Sequence, residues 1–128
     1  MKLDEIKSCF ENSPTILNGD EINIFIDNLL SITDKEELSS TKYAELLLDL
    51  IFCLSDNYQQ LDSKKSEKVF NWVVESWSDV EIAYFDILLS ILANLSYPNT
   101  KDFIKEKIEK TNNSIAKDML VDLLNELQ

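Results

Sequence analysis

The chain has 128 residues, 45% of them hydrophobic, and carries 24 acidic residues against 12 basic ones for a net charge of −12. This size and composition suit a single domain, residues 1–128, with a sizeable apolar core. All the basic residues are lysines, and the negative surface disfavours binding to nucleic acid or to an anionic membrane because phosphate groups repel it. No window approaches the roughly 20 apolar residues of a membrane span.

Apolar residues recur at helical spacing along the chain and predict an all-α fold of about seven helices. One glycine and two prolines provide few of the turns that a sheet protein needs. Breaks are expected at Pro14, at Asn18-Gly19-Asp20, at Pro98 and at Asn112-Asn113. In chain order, the predicted helices cover about 3–10, 20–31, 41–58, 63–77, 78–97, 99–108 and 113–127.

Two capping boxes are predicted at helix starts. Thr33 and Glu36 match the pattern, which favours a short helical turn before the third helix. Ser78 and Glu81 match it again, at the expected start of the fifth helix. In both places the side chains would accept hydrogen bonds from amides that lack a partner within the helix.

The helix starts repeat weakly. Those at Thr41, Ser78 and Asn113, and those at Ser63 and Asn99, are separated by about 36 residues, the length of a two-helix unit. Antiparallel helix pairs stacked as a HEAT-like α-solenoid would produce this spacing. An irregular helical bundle is the alternative.

Residues suited to catalysis are scarce. The chain has no histidine and one glycine, which excludes histidine-activated nucleophiles and glycine-rich phosphate loops. Glu45 and Asp49, and the stripe of Asp118, Asp122 and Glu126, have helical spacing, but metal sites in helical bundles usually add histidine. These carboxylates are interpreted as solvated faces, and the chain is expected to be neither an enzyme nor a holder of a metal or cofactor.

The two cysteines, Cys9 and Cys53, fit no metal or redox spacing and are predicted to be free, buried thiols in a reducing compartment. The opening Met1-Lys2-Leu3-Asp4-Glu5 turns acidic at once, unlike a signal peptide. The expected localisation is therefore cytoplasmic.

Acidic residues and aromatic residues indicate where a protein partner would bind. Residues 1–62 carry 13 acids and 4 lysines, a net charge of −9, and no lysine lies between Lys42 and Lys64 or between Lys68 and Lys101. Trp77 is expected in the core, whereas Trp72 is left open between core and surface. Acids beside tyrosines would match a basic partner. The predicted partner-binding residues are Glu45, Asp49, Asp56, Tyr58, Asp79, Tyr84, Asp86 and Tyr97.

In overall character, and in segments such as Leu54-Ser55-Asp56-Asn57 and Trp77-Ser78-Asp79-Val80-Glu81, the chain resembles bacterial immunity proteins of contact-dependent inhibition and related polymorphic toxin systems. The resemblance implies tight binding of one cognate toxin, often a nuclease, through its basic C-terminal domain. It transfers no functional residue, because no diagnostic motif is shared. The alternative is an acidic inhibitory or adaptor protein, such as a nucleic-acid mimic.

Overall fold

The computed structural model describes residues 2–13 and 17–127, and every regular element in these two ranges is an α-helix. The all-α class is therefore confirmed. The predicted break at Pro14 lies outside the described residues. The helices are α1 Leu3–Glu11, α2 Gly19–Leu30, α3 Lys35–Leu38, α4 Thr41–Asp56, α5 Ser63–Glu75, α6 Ile82–Ala93, α7 Thr100–Lys110 and α8 Ser114–Leu127.

The chain divides into two compact units, Met1–Asp62 with α1 to α4 and Ser63–Gln128 with α5 to α8. Within each unit, alternate helices pack on one another: α2 on α4, and α6 on α8. Helical stacks and bundles both make contacts of this kind. The single domain and the HEAT-like continuation of the stack along the chain stay predictions.

The unit Met1–Asp62 is built on the packing of α2 against α4. Both helices bury one apolar face, and each fully buried leucine or isoleucine contributes about 1.5–3 kcal/mol. The Tyr43 hydroxyl of α4 donates to the carbonyl of Leu29 at the end of α2, at 3.1 Å, and burial raises the pKa of Tyr43. The buried hydrophobic residues of the two helices are Ile22, Ile26, Leu29, Tyr43, Ala44, Leu46, Leu47, Leu50, Ile51 and Leu54.

The unit Ser63–Gln128 has α6 as its most apolar helix, with Phe85, Leu88, Leu89, Ile91 and Leu92 all buried. An aromatic cluster lies beside it. The Trp77 ring meets Phe85 and Phe103 edge-to-face at centroid distances of 5.2 and 4.9 Å. Trp77 is half-buried in this cluster, and Trp72 is buried. The aromatic residues therefore serve mainly as core in this unit.

Neither predicted capping box forms. Asp34 caps α3 instead of Thr33, accepting hydrogen bonds from the amides of Glu36 and Glu37 at 2.9 and 3.3 Å. This four-residue helix is the short helical turn expected before the third predicted helix. At the second site, α6 begins only at Ile82, and its N-cap Glu81 makes no side-chain cap. The residues before Ile82 form a turn instead, in which Asp79 accepts hydrogen bonds from Thr111 and Asn113 in the connection between α7 and α8.

The cysteine prediction was right in part. Cys9 and Cys53 are both free thiols, but Cys9 is exposed and Cys53 is half-buried. The prediction of buried thiols was wrong because α1 buries only Leu3 and Ile6, leaving Cys9 outside its packed face. Partial burial, reinforced by the nearby carboxylates of Asp56 and Asp49, raises the pKa of the Cys53 thiol.

Candidate functional site

The outward side of α4 carries three carboxylates and an aromatic ring in one row. Glu45, Asp49, Phe52 and Asp56 are spaced by 4, 3 and 4 residues, so they share a side of the helix. This side lies opposite the buried leucines of α4, and all four residues are exposed. We call Glu45, Asp49, Phe52 and Asp56, together with Tyr58 just beyond the helix end, the α4 acidic face.

Phe52 lies in the middle of this row and is 43% exposed. Isolated exposed apolar residues are common on protein surfaces and need no explanation. Phe52 differs because carboxylates lie one helical turn away on either side, at Asp49 and Asp56. An aromatic ring enclosed by charges of one sign is the arrangement of a binding hot spot with a charged surround.

Tyr58 ends the α4 acidic face and is 99% exposed. Its backbone has φ 57°, in the left-handed region. The amides of Tyr58 and Gln59 donate to the carbonyls of Ser55 and Leu54, both at 2.9 Å, which closes the helix with a Schellman motif. Glycine is the usual residue at this position because a Cβ atom is unfavourable there. The chain thus places a fully exposed tyrosine where local energetics favour glycine.

The first turns of α4 lie beside α1 at a hollow of about 230 Å³, lined by Lys7, Phe10, Glu11, Lys42, Glu45, Leu46 and Asp49. Its lysines are engaged on the α1 side: Lys7 pairs with Glu11 and Lys42 with Asp4, both at 3.8 Å. Partial burial raises the pKa of the Asp49 carboxyl, Glu45 and Glu11 raise it further, and Lys7 opposes them. These carboxylates repel one another, and a cation bound near them would reduce that repulsion.

The C-terminal end of α4 extends the negative surface. Asp56 is the last helical residue, and the last turn of α4 contains no basic residue. Carbonyl groups at a helix C-terminus carry partial negative charge, which a cation would normally offset. The Asn57 side chain donates to the carbonyl of Cys53 in α4 at 2.9 Å and to the carbonyl of Leu17, which precedes α2, at 3.3 Å. Tyr58 and Asp56 are therefore held on a fixed helix end.

Among the predicted partner-binding residues of Ser63–Gln128, Asp79 has a structural role. Its carboxylate accepts a hydrogen bond from the Thr111 hydroxyl at 2.7 Å, and its carbonyl accepts one from the Asn113 side chain at 3.0 Å. Asn113 also caps α8 by accepting from the amides of Ile115 and Ala116 at 3.0 and 3.1 Å. Asp79 thus fixes the turn between α7 and α8.

The two tyrosines of this unit are both half-buried. Tyr97 stacks on Phe70 at a centroid distance of 4.7 Å, so one face of its ring is covered. Burial raises the pKa of the Tyr84 hydroxyl, and a hydrogen bond with Ser76 opposes the rise. Of Tyr97, which was predicted to bind a partner, only the part of the ring that Phe70 leaves open is accessible.

Asp86 is exposed on α6 and lines a groove between α6 and α8. The same groove is lined by Asp122 and Glu126 of α8. Sequence reasoning placed these two acids on a solvated stripe, because their proximity to Asp86 arises from helix packing and has no local signal. It also missed Phe52, although the offsets from Asp49 and Asp56 were visible in the sequence.

No group of three or more cysteine, aspartate or glutamate side chains among the described residues could hold a metal ion. In the same part of the chain, no helix has the length and apolar character needed to cross a bilayer. The chain matches no protein-family model, no curated protein and no solved structure. The surface itself, and the α4 acidic face above all, is therefore the basis on which a function can be inferred.

Proposed function

We propose that this chain is an immunity protein, which binds and neutralises the basic C-terminal domain of a cognate bacterial toxin. The observation that supports this most strongly is the α4 acidic face, where exposed Phe52 and Tyr58 accompany three exposed carboxylates. Aromatic residues supply much of the affinity at protein interfaces, and the charges around them select and steer the partner.

A basic partner follows from the charge of the surface. Residues 1–62 have a net charge of −9, and the lysines nearest to Glu45 and Asp49 are already paired with Glu11 and Asp4. An arginine or lysine from a partner would meet like-charged carboxylates whose mutual repulsion it removes. An anionic partner would instead be repelled by the same carboxylates.

A nuclease is the class of toxin that this surface suits best. Enzymes that cut nucleic acid bind phosphates with lysine and arginine, and a row of carboxylates can occupy the same groups. The carboxylates at Glu45, Asp49 and Asp56 lie along one helix side over about 16 Å, at 1.5 Å per residue. A rigid helix can present such a row with little loss of conformational freedom on binding.

The test is co-expression with the protein encoded immediately upstream, since immunity genes follow toxin genes. Its C-terminal domain should arrest growth of a bacterial host, and the wild-type chain should restore growth. The double variant Phe52→Ala/Tyr58→Ala should restore growth poorly while remaining folded by circular dichroism. A matched control is Ile24→Ala/Val121→Ala, which truncates two exposed apolar residues elsewhere. Equal protection by both variants would contradict the proposal.

A nucleic-acid mimic is the second candidate, favoured by the regular row of carboxylates on α4. Such a mimic should bind many DNA-binding proteins, and added DNA should displace it from all of them. An immunity protein should select one partner. Phe52 favours selection, because a hydrophobic ring within the row has no counterpart in a phosphate backbone.

A further inference from the structure

A second surface lies in the unit Ser63–Gln128, between α6 and α8. It is a groove of about 230 Å³ lined by apolar side chains, by Ser90 and by three carboxylates. Leu89 and Leu123 are buried at 6% and 5% exposure, and Met119 is half-buried beside them. The carboxylates of Asp86, Asp122 and Glu126 are exposed.

The charge at this groove is of one sign. No lysine lines it, in contrast to the hollow between α1 and α4, where Lys7 and Lys42 take part. Within residues 2–13 and 17–127, none of its three carboxylates forms an ion pair with a lysine. Three carboxylates from two helices thus line the groove with apolar side chains and without an internal cation.

We propose that this groove receives a basic amphipathic segment of a protein partner. An apolar side chain of that segment would cover Leu89 and Met119, and flanking lysine or arginine side chains would reach the three carboxylates. The apolar side chains select a protein segment over a small polycation, which has no side chain to bury there. The carboxylates exclude an anionic occupant by repulsion.

This inference rests on the proposed function, because the segment belongs to the same basic toxin domain. It supplies a contact made by the unit Ser63–Gln128, in addition to the α4 acidic face in Met1–Asp62. Three exposed charge pairs together correspond to an affinity change of about tenfold.

The experiment uses the full chain and needs no toxin, so its failure is distinct from failure of the proposed function. The only methionines are Met1 and Met119, so labelling with ¹³C-methyl methionine places one of two signals in the groove, and Met119→Leu assigns it. The probe is a short amphipathic helical peptide of leucine and lysine. Titration should shift the Met119 signal to saturation.

Two variants with equal loss of charge separate the groove from the general field. Asp86→Asn/Asp122→Asn/Glu126→Gln should weaken the peptide about tenfold. The control variant neutralises three other exposed acids of the same unit, Glu67, Asp102 and Glu109. It should bind the peptide as tightly as the wild-type chain does. An unmoved Met119 signal, equal weakening in both variants, or the same saturable shift with spermidine alone would overturn the proposal.

Discussion

Two residues of the α4 acidic face are unfavourable for the folded chain. Tyr58 has a left-handed backbone that costs an ordinary residue about 1–2 kcal/mol. Partial burial, together with the nearby carboxylates of Glu45 and Glu11, raises the pKa of Asp49. Residues that keep such local costs are concentrated at functional sites. Ser96 has the same backbone conformation elsewhere, but among the described residues only the α4 acidic face combines it with a raised carboxyl pKa and exposed aromatic rings, which supports a binding role.

Replacing Tyr58 with glycine should separate stability from binding. We expect Tyr58→Gly to raise the free energy of unfolding by about 1 kcal/mol, because glycine adopts the left-handed conformation without a Cβ penalty. The same change should weaken partner binding about tenfold or more through loss of the exposed ring. Urea denaturation and titration of the partner measure the two effects. Tyr58→Phe is the control, since it retains both the ring and the strained backbone; a stabilised Tyr58→Gly that binds normally would remove Tyr58 from the site.

Asp49→Asn should stabilise the chain at neutral pH. The folded-state pKa of Asp49 is raised, so folding disfavours its charged form, and the cost exists only where that carboxyl is ionised. The gain from asparagine should therefore be full at pH 7 and should disappear as the pH falls below the ordinary value of 3.8. Urea denaturation of both proteins at several pH values checks this. A gain that persists in acid would assign the effect to something other than charge.

At the scale of elements, periodicity predicted seven of the eight helices, since burial of one face repeats every helical turn. Predicted ends were less accurate: α4 ends at Asp56 and α6 begins at Ile82. The eighth, α3, has four residues and no apolar repeat, so only the Thr33 and Glu36 pattern indicated a short helical turn there. The turn that replaces the Ser78 capping box accepts hydrogen bonds from residues more than 30 positions away in sequence, which a local pattern does not contain.

Asp79 was predicted to bind a partner, but its hydrogen bonds give it a structural role, and the two roles can be separated by mutation. We expect Asp79→Ala to lower the free energy of unfolding by about 1 kcal/mol, because the Thr111 hydroxyl loses its acceptor. Partner affinity should not change. Glu81→Ala is the matched control, since Glu81 is exposed and forms no side-chain cap, and it should alter stability by less than about 0.5 kcal/mol. Weaker partner binding in Asp79→Ala at unchanged stability would return Asp79 to the binding surface.

At the scale of the whole molecule, charge is distributed unevenly. Residues 1–62 have a net charge of −9 and residues 63–128 carry the remaining −3. A field of this kind accelerates the approach of a basic partner and weakens with salt. Composition alone predicted this asymmetry. It did not predict the groove between α6 and α8, because Asp86 is separated from Asp122 and Glu126 by a helix and two turns.

The most direct test of the α4 acidic face is the rate of association with the purified toxin domain at low and high salt. The double variant Asp49→Lys/Asp56→Lys is compared with Glu5→Lys/Glu36→Lys, which makes the same change in net charge at exposed positions of α1 and α3. Reversal on the α4 acidic face should slow association about tenfold at low salt and flatten its salt dependence. The control should stay close to wild type. Equal slowing in both variants would show that only net charge matters, and unchanged rates in both would place the binding site elsewhere.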